Sequence, residues 1–420
     1  MIAALLLGAC GAPAVRPAPP ETGAGAVPVD TAAPMLVVAT PDSARWRVVA
    51  VDTMATGLEV PWAIAFTPDG RALVTERVGR IRSIDAQGQL DETPWASIDA
   101  YALAQGINPE TGLMGIALDS TADGREVVYT AVVQHRGSQV GGDGFIGRIV
   151  RRILHATAPQ RASPFVTRVL RWERGPDGQA SSSILVDSIP TSHYHAGGGL
   201  LRLGDTLFLG TGDGTWPKYA ARSDAAPGKI LRIGLRGADS GRLRVEASGF
   251  RNVQGIARLP DGQLLAIEHG PTGMTQERGR AGNDELNLIR RGASYGWPGV
   301  SGTDRADGVT MPTVLWPLAI APSGLALLPA APGDTAVTAL VSSLRSGIWM
   351  IELARSADSW TARQASLLAG LPSSGRIRAV SVAPDGSLWV TTSNRDGRGG
   401  PRAGDDRILR VRVERNQVVP

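Results

Sequence analysis

Ala63-Ile-Ala-Phe-Thr-Pro-Asp-Gly-Arg-Ala-Leu-Val-Thr75 reads as an apolar strand, a Pro-Asp-Gly turn and a second apolar strand. The pattern returns at Gly255-Ile-Ala-Arg-Leu-Pro-Asp-Gly-Gln-Leu-Leu-Ala-Ile267 and at Val380-Ser-Val-Ala-Pro-Asp-Gly-Ser-Leu-Trp-Val-Thr391. Weaker copies surround Asp123-Gly124, Gly204-Asp205 and Gly333-Asp334. Asp-Gly suits tight hairpins because both residues tolerate positive φ. The six copies recur about 60 residues apart, the length of a four-stranded propeller blade with its loops. The fold expected is all-β: a six-bladed β-propeller of four-stranded antiparallel blades over residues 45–415, with each hairpin as the inner half of a blade. A sandwich or barrel would not repeat one hairpin at such wide spacing.

Composition agrees. The 420 residues include 52 Gly and 29 Pro with only 5% aromatics, which suits many turns and short strands, and no long 3.6-period apolar stripe appears. The net charge of +4 comes from 43 basic and 39 acidic residues. The arginines are scattered, whereas a nucleic-acid binder clusters them into a stripe. Arg148, Arg151 and Arg152 read as a solvated run, as do His135 and His155 in their polar connections.

The lone cysteine, Cys10, ends the apolar run that starts at Ile2. The run is too short to span a bilayer, and Leu7-Gly8-Ala9-Cys10 resembles the cleavage box of a bacterial lipoprotein signal. No Lys or Arg precedes it. Residues 1–10 are therefore expected to be a signal remnant with a lipid anchor at Cys10, and 11–44, rich in Pro, Ala and Gly, a disordered tether. That implies a periplasmic or extracellular protein held at a membrane.

Just before the repeated first strands stand Pro61-Trp62, Glu110, His193-Tyr194-His195, Arg251-Asn252-Val253-Gln254, Pro322-Ser323 and Arg376-Ile377-Arg378. Equivalent positions in a propeller converge on one mouth of the central channel. The second strands end near Asp213, His269-Gly270-Pro271 and Arg345. Polar groups of differing type at one concave mouth make a site rather than a structural ring. Arg251, Arg345, Arg376 and Arg378 facing one ligand would suit carboxylates or phosphates, and His195 can serve as a base near neutral pH.

Several runs, in order, resemble the soluble PQQ-dependent (pyrroloquinoline quinone) glucose and aldose sugar dehydrogenases, the glucose/sorbosone dehydrogenase family. They are Gly57-Leu-Glu-Val-Pro-Trp62, Gly112-Leu-Met-Gly-Ile-Ala117, His193-Tyr-His195, Gly228-Lys-Ile-Leu-Arg-Ile233, Gly249-Phe-Arg-Asn-Val-Gln-Gly255, Glu268-His-Gly-Pro271 and Asp284-Glu-Leu-Asn-Leu-Ile289 with Tyr295-Gly-Trp-Pro298. The resemblance implies oxidation of an aldose at C1 to its lactone, His195 taking the C1 hydroxyl proton while hydride passes to PQQ. Arg251 would stabilise charge at the reacting carbonyl. Glu110, Asn252, Gln254, His269, Arg345, Arg376 and Arg378 would line or hold the cofactor. Gly270 and Pro271 would bind a calcium ion through their carbonyls, and Asp284, Glu285 and Tyr295 a second, structural calcium. The electron acceptor stays open among a dye, a quinone and a cytochrome. Tyr194 stands where the family commonly has aspartate, Glu110 where it has glutamine, Ala319 where some members have threonine, and Arg345 where a lysine is common.

Two other functions fit a propeller. A calcium-dependent lactonase-type hydrolase would need Asp, Asn and Glu side chains around a central ion, and a non-catalytic binding module would have little use for His195 together with four arginines.

Overall fold

A computed structural model describes residues 17, 35–101, 109–136, 149, 152–154, 157, 159–277, 279–330, 333–356 and 359–416. Cys10 and its apolar run, the expected tether up to residue 34 apart from Pro17, Arg148, Arg151 and His155 lie outside these residues. The last ten residues of that tether, 35–44, are not free chain but carry a short strand, Leu36–Val37, and pack on the domain.

Two strands, β1 (Leu36–Val37) and β2 (Trp46–Ala55), come first. Blade one is β3 (Pro61–Phe66), β4 (Ala72–Glu76), β5 (Arg80–Ile84) and β6 (Ala96–Ser97); blade two is β7 (Leu113–Ser120), β8 (Glu126–His135), β9 (Phe165–Arg174) and β10 (Ala180–Pro190). Blade three is β11 (Leu200–Leu203), β12 (Thr206–Gly210), β13 (Lys229–Gly234) and β14 (Leu243–Ser248); blade four is β15 (Val253–Arg258), β16 (Leu264–Glu268), β17 (Asp284–Ile289) and β18 (Val314–Trp316). Blade five is β19 (Pro322–Leu327), β20 (Ala336–Ser343), β21 (Gly347–Ser356) and β22 (Ser359–Leu367). Blade six combines β23 (Ile377–Val382), β24 (Leu388–Thr392) and β25 (Ile408–Arg415) with β2, so the two ends of the chain share one sheet and close the ring. The six-bladed propeller is present, and every expected hairpin is the inner half of a blade.

The turns differ from the expectation in one respect. Gly70, Gly262 and Gly386 take positive φ of 84°, 92° and 81°, whereas the aspartates before them do not. Each aspartate works through its side chain instead. Asp69 Oδ1 meets Thr67 Oγ1 and the Arg71 N–H, and Asp385 Oδ1 accepts from the Ser387 N–H at 2.9 Å. This local side-chain capping is the other reason Asp favours turns.

Neighbouring blades pack face to face. Ile267, Leu286 and Trp316 of blade four meet Val341, Trp349 and Ile351 of blade five in one buried cluster, each such side chain contributing about 1.5–3 kcal/mol on burial. Near the axis small residues let inner strands touch: a Cβ on Gly255 would lie 2.9 Å from the Leu325 Cβ. Buried hydroxyls tie blade to blade there. Thr75 donates to the Met114 carbonyl at 2.5 Å, Ser323 to that of Ile377 at 2.8 Å and Ser381 to that of Ile64 at 3.0 Å.

Candidate active site

At the end of the axis where the inner strands begin, His195 lies buried with 5% exposure between two charged groups. Its Nδ1 is 2.7 Å from Asp213 Oδ1 and its Nε2 is 2.8 Å from Arg251 Nη2. A guanidinium can only donate, so Nε2 carries a lone pair and the ring proton sits on Nδ1, donated to Asp213. Asp213 is itself held by the Thr215 N–H at 2.8 Å and by the Trp297 indole N–H at 2.8 Å. Arg251, 1% exposed, places Nε 2.5 Å from Glu277 Oε1 and Nη2 3.1 Å from Thr272 Oγ1. Glu268 fixes the backbone beneath, accepting the N–H groups of Arg251 at 2.6 Å and Asn252 at 3.3 Å.

Beside this network a cavity partly open to solvent is lined by Glu110, Asn252, Gln254, His269, Arg376 and Arg378, together with Arg77, Asp396 and Arg398. Four guanidinium groups therefore face two carboxylates. Arg378 donates to Gln254 Oε1 at 2.9 Å and lies 4.5 Å from the centre of the Trp62 ring. Its buried Nε has no hydrogen-bond partner among the described residues. Burial, and then the charge of Arg77, push the Arg378 guanidinium down to about 9, an electrostatic stress that a bound anion would relieve. Arg376 donates Nε–H to Asp396 at 2.8 Å. His269 donates Nε2–H to the Pro322 carbonyl at 2.7 Å, and burial pushes its imidazole down to about 4, so it is neutral at pH 7.

Eight of the fourteen candidate residues, His195 and Arg251 among them, thus meet at the mouth or pass directly behind it. Arg345 does not: it is exposed, sends Nη1 to the Ala319 carbonyl at 3.3 Å and lies outside the cavity lining.

The five candidate metal ligands stand behind His269. A Cβ at Gly270 would fall 2.1 Å from the Gly282 oxygen and 2.2 Å from that of Asn283, so glycine alone fits among these carbonyls. The Pro271 carbonyl accepts the Gly282 N–H at 2.9 Å and keeps its second lone pair. Asp284 is committed to backbone, accepting N–H bonds from Gly270 at 2.8 Å, Ile320 at 2.7 Å and Ala321 at 2.8 Å. The Tyr295 hydroxyl donates to the Leu288 carbonyl at 2.5 Å and accepts the Arg290 N–H at 3.0 Å, leaving only its main-chain carbonyl for an ion. Glu285 lies directly opposite Glu268 across β16 and β17. Burial pushes the Glu285 carboxyl up to about 7, and burial with the charge of Glu285 raises Glu268.

Sequence reading noted Asp213 at the mouth but gave it no role, and missed Arg77, Glu277, Asp396 and Arg398. Arg77 directly follows β4, the same repeat position that singled out His269, so that rule extends to it. Glu277, Asp396 and Arg398 come from long loops with no repeat position to mark them. His193 and His135 pack with Tyr101 and Phe165 in an aromatic cluster, and the Tyr101 hydroxyl lies 3.2 Å from His193 Nδ1. His135, exposed as expected, is therefore also a packing group.

The profile of the Glucose / Sorbosone dehydrogenase family matches residues 58–409, five whole blades and the inner half of the sixth. The chain belongs to this family. The chain is 28% identical over 386 residues to an uncharacterized protein of Synechocystis sp., covering 81% of this chain and 83% of that one. It is 28% identical over 273 residues to the aldose sugar dehydrogenase of Escherichia coli K12, covering 61% and 64%. Among solved structures, the PQQ-bound aldose sugar dehydrogenase of Streptomyces coelicolor superposes with a TM-score of 0.64 at 29% identity, covering 89% of this chain and 100% of that one. A Thermus thermophilus protein described as an oxidoreductase (glucose dehydrogenase) superposes at 0.69 with 31% identity, covering 86% and 99%. This glucose/sorbosone dehydrogenase family member is thus an oxidoreductase of the sugar-dehydrogenase type on a propeller.

Proposed function

We propose that the protein is a PQQ-dependent dehydrogenase that oxidises an aldose at C1 to its lactone. The observation that carries this reading is the base beside an anion-seeking cavity: His195, whose unprotonated Nε2 accepts from Arg251, next to a pocket of four guanidiniums and two carboxylates. PQQ is a planar tricarboxylate, and the residues fit it. Arg376 and Arg378 would pair with its carboxylates, with Asn252 and Gln254 on its polar edge, and the partnerless Nε of Arg378 is a donor awaiting an acceptor. When bound, PQQ supplies an electron-poor quinone that takes up hydride.

The protein's own contribution follows from the network. Once the sugar hydroxyl takes the place of the Arg251 N–H at Nε2, His195 accepts the C1 hydroxyl proton there as the C1–H bond breaks, and Asp213 stabilises the imidazolium that forms. Such a base is worth about 10²–10⁴ in rate. Arg251, held rigid by Glu277 and Thr272, aims its charge where negative charge develops. The lining argues against the calcium-centred hydrolase, whose ion would need carboxylates where guanidiniums stand.

Calcium belongs to the same proposal. The carbonyls around Gly270 and Pro271 are a hard-oxygen donor set. At the second site Glu285, with the Tyr295 carbonyl, is the donor, and a cation would relieve the facing pair of buried carboxylates. A lipid anchor at Cys10, placing the enzyme on a membrane outside the cytoplasm, completes the reading.

Chelated and dialysed protein should reduce a dye with glucose only when PQQ and calcium are restored together. His195→Ala should lower kcat by at least about a hundredfold while PQQ titrates as before. Full activity without PQQ, or an active His195→Ala enzyme, overturns the proposal.

A further inference from the structure

His195 holds φ at 55°, a left-handed backbone that a residue with a side chain rarely adopts. Something must keep it there, and the ring contacts with Asp213 and Arg251 act on the side chain rather than on the main chain. The main chain is held at its carbonyl by the Gly214 N–H at 3.3 Å and at its N–H by Glu110. The Glu110 backbone N–H donates to the His193 carbonyl at 2.8 Å, and its Oε2 accepts the His195 N–H at 3.0 Å. The other carboxylate oxygen, Oε1, accepts from Arg398 Nη1 at 2.7 Å. Arg398 also lies 5.9 Å from the centre of the Tyr194 ring. Three consecutive residues are thus held at three different groups: the carbonyl of 193, the ring of 194 and the N–H of 195. Arg398 is presented by its own loop, where Asp396 Oδ1 accepts the Arg398 N–H at 2.9 Å and the Gly399 N–H at 3.1 Å.

We propose that Glu110 and Arg398 form a positioning pair for the base, in which the Arg398-held carboxylate caps the His195 N–H and fixes the left-handed backbone that aims the imidazole. The proposal rests on the reading of His195 as the base, and it reassigns Glu110 from cofactor contact to main-chain support. Burial alone would raise the Glu110 carboxyl, but His195, Arg398 and His269 outweigh it and hold it well below the usual carboxylate range. Glu110 is therefore an anion beside a cavity that the main proposal fills with another anion. It supports the base against a repulsion from the cofactor.

That conflict supplies the test. Glu110→Ala should lower kcat by about thirtyfold or more, since a misplacement of about 1 Å can cost about 10²-fold, with sugar KM within about threefold. Its affinity for PQQ should be unchanged or tighter. Glu110→Gln, whose amide oxygen can still accept the His195 N–H, should recover part of the loss, and Arg398→Gln should fall between the two. The exchanged pair, Glu110→Arg with Arg398→Glu, should stay as impaired as Glu110→Ala because arginine cannot accept an N–H. Weaker PQQ binding by Glu110→Ala, or activity restored by the exchange, overturns the proposal. A readout independent of turnover uses cofactor-free protein. The Nδ1 proton shared with Asp213 should give a downfield resonance, assigned by its loss in His195→Ala and sharp in wild type. It should broaden or vanish in Glu110→Ala and persist in Glu110→Gln; an unchanged resonance in Glu110→Ala overturns the proposal even if wild type shows no PQQ-dependent turnover.

Discussion

His269 stands between the arginine-lined cavity and the carbonyls around Gly270, neutral because burial depresses its imidazole to about 4 against an ordinary value of about 6.5. A depressed folded value means that the unfolded chain takes up the proton first. Stability is therefore whole above about pH 6.5 and is lost as pH falls toward 4, by at most about 3 kcal/mol. In His269→Gln, which can still donate to the Pro322 carbonyl, this part of the acid sensitivity should disappear. Urea unfolding at pH 7 and pH 4.5 would show it as a smaller difference between the two pH values than in wild type. At this scale the sequence was informative wherever a residue belonged to the repeat. Position within the repeat brought His195, Arg251, Asn252, His269, Arg376 and Arg378 to one mouth. It also brought Arg345, whose placement outside the cavity shows that a strand end sets the face of the molecule but not the direction of a long side chain. Asp396 and Arg398 were illegible because loop conformation, not strand register, delivers them.

The connection between β12 and β13 shows how an element is built around one chemical choice. Only two of the 43 basic residues are lysines, and one of them, Lys229, is wholly buried. Its Nζ donates to the carbonyls of Tyr219 at 2.9 Å, Ala220 at 2.6 Å and Pro227 at 3.0 Å. A compact ammonium has three donors to match, while a planar guanidinium does not fit. Those carbonyls belong to the β12–β13 loop that also carries Asp213, so Lys229 folds the segment that presents the carboxylate partner of His195. Lys229→Met should cost about 3 kcal/mol or more by removing three charge-assisted hydrogen bonds, although the Tyr219 and Ala220 carbonyls keep the backbone N–H groups of Arg222 and Gly249, and Lys229→Arg should not restore it. Chemical denaturation of the two variants would check both statements. The run Gly228-Lys-Ile-Leu-Arg-Ile233 was legible as a motif, but nothing in it revealed that its lysine points inward, because β-strand alternation does not say which face a loop will cover.

Over the whole molecule the ring is held shut by chain ends that lie far apart in sequence. β2 pairs with β25 from Trp46↔Arg415 to Ala55↔Ile408, β1 lies along β18, and Asp42 between them bonds to the Ala365 backbone at 2.9 Å. Residues 36–55 therefore cover the outer edges of blades four and five and supply a strand to blade six, which shields edges open to aggregation. A chain beginning at Met35 keeps every strand and should melt within about 2 °C of the full chain, a shift that corresponds to about 1 kcal/mol. A chain beginning at Gly57 lacks β2, leaves β25 as a bare edge and should be insoluble or melt far lower; thermal scans and sedimentation would decide. Sequence reading foresaw six blades because six hairpins repeat, yet it did not foresee this closure, since β2 belongs to no hairpin.

The direction of these end strands has a practical side. β18 runs from Val314 toward Trp316, which pairs with Asp284 at the mouth end of its blade, and β1 is parallel to it. β25 starts at Ile408 beside Thr391 and runs away from the mouth to Arg415. The chain thus enters β1 and leaves β25 on the side away from the arginine-lined mouth. A protein cut to residues 35–416 and attached to an electrode or bead at either of those points would turn its arginine-lined mouth outward, without any redesign of the surface.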